Sequence, residues 1–196
     1  MHTAPLKTLE VTLTFLREIE KLKTITRYNR TLDGRYENSA EHSWHATLMS
    51  LLLVNHSEGN PDPLTVAKML LIHDIVEIDA GDTWLFDEDQ SHKHSDESTA
   101  AARLFGLLPE PQATEYKQLW EEFEARQTPE AQFAAAIDGL QPLLNHVLTG
   151  RPEDGTLPAS TILEKKAYIR AAAPQLWQAV ESLISDSVNK GLYTLE

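Results

Sequence analysis

The stretch "AKMLLIHDIVEIDAGD", residues 67–82, decides the fold. It opens as an apolar helix and then sets His73 and Asp74 side by side in its most apolar part. Glu77 follows one turn later and Asp82 lies just past Gly81. One buried charge in such a run is costly, and several without partners are not tolerated. The segment therefore predicts a helix whose polar residues hold something.

Working outward, the other segments read as helices too. Leu6, Leu9, Leu13, Leu16, Ile19 and Leu22 recur at steps of three and four and predict an amphipathic helix over 6–25. Ser39 is expected to cap a helix running to about Asn55, with Trp44, Leu48, Leu51 and Leu52 on one face. Asp62-Pro63 and Thr128-Pro129 are a cap followed by a first-turn proline, opening helices over 63–80 and 129–148. Further helices are expected at 96–106, 110–127, 160–172 and 175–190. The stretches 26–39, 83–95 and 150–158 read as loops, rich in Gly, Asp and polar residues. No strand pattern exceeds a few residues. The expectation is an all-α, multi-helix bundle forming a single domain over 1–196, with a core at about 9–145 and a helical extension at about 159–190.

Composition narrows the chemistry. The chain has 196 residues, 41% apolar and 24% charged, an ordinary globular profile. It has no cysteine, which excludes disulfides, thiolate metal sites and cysteine nucleophiles. The longest apolar stretch, "LMSLLLV", is too short to cross a bilayer, and the first 20 residues lack a signal-peptide core. A net charge of −13 argues against nucleic-acid binding. These features point to a cytoplasmic protein with no membrane or nucleic-acid partner. Arg17, Lys21, Lys23, Arg27, Arg30 and Arg35 gather six of the 17 basic residues, enough for a small anion to use one or two of them.

On a helix, positions 73 and 77 share a face and 74 points about 100° away. Imidazole and carboxylate suit zinc, manganese, iron or cobalt. Two ligands rarely suffice, so other helices are expected to add more. His42 in "ENSAEHSWHA" (37–46) and Asp138 in "AAAIDGLQPLL" (134–144) are the polar residues out of place in two other apolar helices.

In this order, His42, His73-Asp74 and Asp138, the chain resembles the HD-domain superfamily of metal-dependent phosphohydrolases. Its wording, with "TRYNR" at 26–30, is similar to the subgroup acting as 5′-deoxynucleotidases. The resemblance implies His42, His73, Asp74 and Asp138 as ligands of one divalent ion per chain (Mn, Co, Zn, Fe, Ni or Mg). It implies Glu77 and Asp82 as catalytic acids near phosphate and water, with Asp82 also touching substrate. Arg27 would orient the phosphate. Tyr28 matches a position, often tryptophan in bacterial members, that contacts base or sugar. The implied reaction is hydrolysis of a (deoxy)nucleoside 5′-monophosphate, and the implied assembly is a homodimer, with Trp120 and Phe123 as candidate interface residues.

Other readings of the same residues are a phosphodiesterase or pyrophosphohydrolase acting on a signalling nucleotide, and a non-catalytic module stabilised by metal. His45, three residues from His42, is expected to pack or support the site, and His146 to be a core histidine. His92 and His94 are expected to be solvated, although extra histidines would serve a two-metal variant. Trp44, Trp84, Trp120 and Trp177 are expected in the core or an interface, with Trp84 also able to line the pocket.

Overall fold

A computed structural model describes residues 3–83, 92–154 and 156–196. Trp84 lies outside the described residues, as does the side chain of Leu6. The protein is all-α, as expected. Helix α1 (Thr3–Glu18) continues as a 3₁₀ segment (Ile19–Thr24), and a hairpin of β1 (Thr26–Arg30) and β2 (Tyr36–Asn38) follows. Next come α2 (Ser39–Leu53), α3 (Pro63–Ile72), a 3₁₀ turn (His73–Val76) and α4 (Glu77–Ala80). Helices α5 (Lys93–Phe105), α6 (Gln112–Ala125) and α7 (Pro129–Thr149) complete the central part. The chain then adds β3 (Leu157–Pro158), α8 (Ala159–Lys166), α9 (Tyr168–Ala172), α10 (Pro174–Asn189) and β4 (Tyr193–Thr194). Strands β3 and β4 pair in parallel.

Helix α7 is the axis. Its residues 133–137, mostly alanine, are fully buried, and the small side chains let α2, α3 and α9 approach its backbone. Gly139 extends this effect, because a Cβ there would overlap the Tyr168 hydroxyl of α9 and come within 3.3 Å of Ile169 Cδ1. A second apolar cluster, built on Leu104, Phe105, Ile72, Ile75, Val76 and Trp120, packs beneath the 3₁₀ turn. The helix starts at Asp62-Pro63 and Thr128-Pro129 form as read, each cap side chain accepting a backbone N–H three residues on.

Several expectations need correction. Residues 26–39 are not a plain loop but an antiparallel hairpin, pairing Thr26 with Asn38 and Arg30 with Tyr36 around a turn where Gly34 takes φ +88°. Its strands are short and polar, so no apolar alternation marked them. The cap of α2 is Asn38, in a reciprocal capping box with Glu41, rather than Ser39. The expected helix over 63–80 is interrupted at 73–76 by the 3₁₀ turn, although it does end at Gly81, which takes φ +78°.

The apolar stripe of α2 faces outward: Trp44 is 65% and Leu52 69% exposed, with Leu48 and Leu51 also exposed. The face that packs inward is Ser39, His42, Ser43, Ala46, Met49 and Ser50. Leu9, Leu13 and Leu16 of α1 are exposed as well, while Phe15 and Leu22 turn inward. Trp120 and Phe123, expected against a second subunit, are buried within this chain. No helix among the described residues is long and apolar enough to cross a membrane.

Candidate metal centre and active site

Three helical elements meet at one point. Helix α2 brings His42 from its first turns, the 3₁₀ turn brings His73 and Asp74, and α7 brings Asp138. Donor atoms of His42, His73 and Asp138 all lie within 4.8 Å of one another. His42 Nε2 stands 2.9 Å from Asp138 Oδ1, and His73 Nε2 stands 3.5 Å from the same oxygen. Asp74 borders this group: its Oδ1 is 3.1 Å from His73 Nε2 and its Oδ2 is 3.9 Å from His42 Nε2.

Hydrogen bonds behind the rings fix which nitrogen faces the centre. His73 Nδ1–H donates to the Leu70 carbonyl at 3.0 Å, leaving Nε2 inward, buried and without a hydrogen-bond partner. His42 Nδ1 lies 2.9 Å from Gln141 Oε1. That amide is held in orientation because its Nε2 donates to Glu37 Oε1 at 2.9 Å, so Oε1 must accept the proton of His42 Nδ1. Both Nε2 lone pairs then converge on a carboxylate. The arrangement needs positive charge at its centre, either protons on the rings or a shared cation. The donor set, two imidazoles with one or two carboxylates, fits a divalent transition metal.

The electrostatics agree. Burial works against a charged His73 ring, but Asp74 and Asp138 outweigh it and hold the ring at about 9. Burial likewise opposes ionisation of Asp138, yet the two imidazoles keep it well below the usual carboxylate range. The protein thus places cationic demand where an ion would sit.

The 3₁₀ winding changes which residues share a face. At three residues per turn Asp74 eclipses Glu77, whereas the helical reading paired His73 with Glu77. Asp74 and Glu77 both turn toward Arg27 of β1. Its Nη1 donates to Asp74 Oδ2 at 2.8 Å and lies 3.6 Å from Glu77 Oε1 and 3.8 Å from Asp82 Oδ1. Burial would pull the guanidinium's pKa down, but these carboxylates raise it further above its ordinary value. Glu77 is pushed up by its own burial and by Asp74, against the pull of Arg27. Its Oε2 accepts from the Ser39 hydroxyl at 2.6 Å. Tyr28, next along β1, is 57% exposed, as strand alternation sends it away from the side that Arg27 takes.

Four contributors escaped the sequence reading. Gln141 and Glu37 hold His42 from behind, with Asn145 Nδ2 donating to Glu37 Oε1 at 3.0 Å, and Ser39 holds Glu77. Gln141 follows Asp138 by three positions on a core-facing helix, and that spacing was the available signal. His45 backs the same relay, its Nδ1 3.3 Å from Gln141 Nε2. His146 stacks on Tyr193 at 4.7 Å, away from the centre.

The helical fold and the convergent imidazoles and carboxylate form a candidate divalent-metal centre. Residues 19–177 match the family model described as "HD domain", and the chain belongs to that family. It is a phosphohydrolase of the HD-domain type. A solved structure from Magnetospirillum magnetotacticum MS-1, described as a predicted metal-dependent phosphohydrolase, is 42% identical to it. The two align with a TM-score of 0.90 over 98% of this chain and 99% of that one. The PH0347 protein from Pyrococcus horikoshii OT3 shares the fold, with a TM-score of 0.66 over 91% and 98% of the two chains at 20% identity. Among curated relatives, the human 5′-deoxynucleotidase HDDC2 is 29% identical over 67% of this chain and 65% of its own length. The Danio rerio protein of the same name is 26% identical over 71% and 72%. The match thus spans a little under two thirds of the human relative.

Proposed function

We propose that the protein hydrolyses deoxynucleoside 5′-monophosphates to nucleoside and phosphate, using one divalent ion per chain held by His42, His73, Asp74 and Asp138. The observation that carries this is the convergence of two Nε2 atoms and the Asp138 carboxylate on one point, with Arg27 and Glu77 beside it. The names of the curated relatives support the substrate class.

When bound, such an ion draws charge from phosphoryl oxygens and acidifies the attacking water. The protein's own groups do the rest. Arg27 presents N–H donors to the phosphate and offsets its charge. Glu77 has Oε2 fixed by Ser39 and Oε1 turned to Arg27, so Oε1 is the atom that takes a proton from water or returns one to the leaving 5′-oxygen. Its raised pKa makes it a better proton acceptor than an exposed carboxylate. Asp82 closes the Arg27 side and contacts substrate. No covalent nucleophile is used.

We place the enzyme in the cytoplasm, on its lack of cysteine, and read it as one domain. We also read it as a homodimer, in which the outward stripe Trp44, Leu48, Leu51 and Leu52 packs on its own copy.

The test is a substrate panel with purified protein shown to carry Mn²⁺ or Co²⁺. Phosphate release should be greatest from deoxynucleoside 5′-monophosphates, ahead of ribonucleotides, cyclic nucleotides and pyrophosphates. Release from none of the deoxynucleotides, with metal bound, rejects the reading.

A further inference from the structure

Arg27 rises from β1, and the pairing of β1 with β2 does not fix the middle of that strand. The register pairs Thr26 with Asn38 and Arg30 with Tyr36, so residues 27–29 stand opposite Glu37 alone. Such a bulge leaves its extra residues outside the ladder, and a lone two-stranded hairpin is marginal in water. What holds the segment lies on α7. Asn29 Nδ2 donates to the Pro142 carbonyl at 3.2 Å, one helical turn beyond Asp138. A backbone carbonyl only accepts, so the amide must turn its nitrogen toward α7. On the partner strand, Glu37 Oε1 accepts from Gln141 Nε2 at 2.9 Å and Asn145 Nδ2 at 3.0 Å, both on the same helix. Asn29 is thus the tie of the strand that bears Arg27, and Glu37 the tie of its neighbour. Asp74, Glu77 and Asp82 hold the tip of the Arg27 guanidinium, but not the backbone from which its stem rises.

We propose that Asn29 is a positioning residue for phosphate binding: its bond to the Pro142 carbonyl sets the height of β1 above α7, and so the place of the Arg27 guanidinium. The proposal rests on the reading of Arg27 as the group that orients the phosphate. An incoming phosphate competes with the three carboxylates for the same N–H donors. As their hold loosens, the anchorage of the strand itself decides where the guanidinium stays. Helix α7 also carries Asp138, so the tie fixes the phosphate anchor and a metal ligand within one rigid element. Asn29 acts through Arg27 and touches none of the proposed ligands itself.

The test is a double-mutant cycle of Asn29→Ala and Arg27→Ala, singly and together, each checked for a native melting transition. Inorganic phosphate is the binding probe for the Mn²⁺-loaded protein, Mn²⁺ affinity is measured separately, and KM and kcat are obtained for one deoxynucleotide. Asn29→Ala should weaken phosphate binding and raise KM about three- to tenfold, with Mn²⁺ affinity within about twofold of wild type. Asn29→Asp, which has no N–H to donate, should lose at least as much. In the Arg27→Ala background Asn29→Ala should add no further loss. Unchanged phosphate affinity and KM in a folded Asn29→Ala variant overturn the proposal, since the carboxylates alone would then place Arg27. Equal losses with and without Arg27 also overturn it, as does a fall in Mn²⁺ affinity, which would make Asn29 a support for the metal ligands. If Arg27→Ala itself leaves phosphate binding intact, the reading of Arg27 fails and the proposal falls with it.

Discussion

Replacing Lys166 with methionine should stabilise the metal-free protein. Burial depresses its ammonium from an ordinary 10.5 to about 8, with Arg27 and Arg126 acting in the same direction against Asp138. At about 1.4 kcal/mol per pH unit, that gap is a penalty of about 3 kcal/mol at neutral pH. The sign follows from proton counts. Below pH 8 both folded and unfolded chains hold the proton and the penalty is full. Between 8 and 10.5 the unfolded chain holds more protons, so the penalty fades as pH rises. Methionine removes the charge and keeps most of the stem, at a packing cost of about 1 kcal/mol. The net gain of about 2 kcal/mol corresponds to roughly 4–8 °C in Tm for a chain of this size. The assay is a pair of melting curves in chelator, wild type against Lys166→Met, at pH 7 and pH 10. The Tm difference should be largest at pH 7 and shrink toward pH 10. A variant that melts below wild type at pH 7 would refute the reasoning, since it would mean that the ammonium is paired.

Other consequences are as specific. Gln141→Leu removes the acceptor of His42 Nδ1 and one donor to Glu37 inside the core. It should cost about 2–4 kcal/mol of stability and about 10–100-fold in metal affinity, measured by melting and by metal titration. His73 is raised in the folded protein to about 9 from an ordinary 6.5, so its stabilising charge is complete below 6.5 and lost as pH climbs toward 9. Metal-free protein should therefore lose Tm between pH 6.5 and 8, below the range where Lys166 begins to compensate. Bound metal should flatten that loss, since the ring's lone pair is then taken up. Equal pH dependence with and without metal would contradict the assignment.

The centre was legible because its residues break a pattern. His73, Asp74 and Asp138 stand in apolar runs where charge has to be explained, and capping signals at Asp62-Pro63 and Thr128-Pro129 fixed the starts of α3, which leads into the His73–Asp74 turn, and of α7, which carries Asp138. What escaped notice lacked such contrast. The hairpin bearing Arg27 is short and wet, so its strands carry no alternating apolar code. The 3₁₀ turn at His73 rotates Asp74 onto the Glu77 face, and helical periodicity does not reveal a local change of winding. Gln141 and Lys166 are ordinary helix residues in sequence. Only tertiary packing turns one into the back support of His42 and buries the other at the end of α8. The leucines of α1 and α2 misled in the other direction, since a regular apolar stripe says that a face is covered without saying by what.

The most direct test of the account is calorimetric titration of Mn²⁺ into metal-free wild type and Asp138→Asn, with phosphate release from a deoxynucleoside 5′-monophosphate followed on the same samples. The account predicts one ion per chain in wild type, much weaker binding in the variant, and hydrolysis that falls with the bound metal. Full hydrolysis in chelator, or undiminished Mn²⁺ binding by a folded Asp138→Asn, would contradict it.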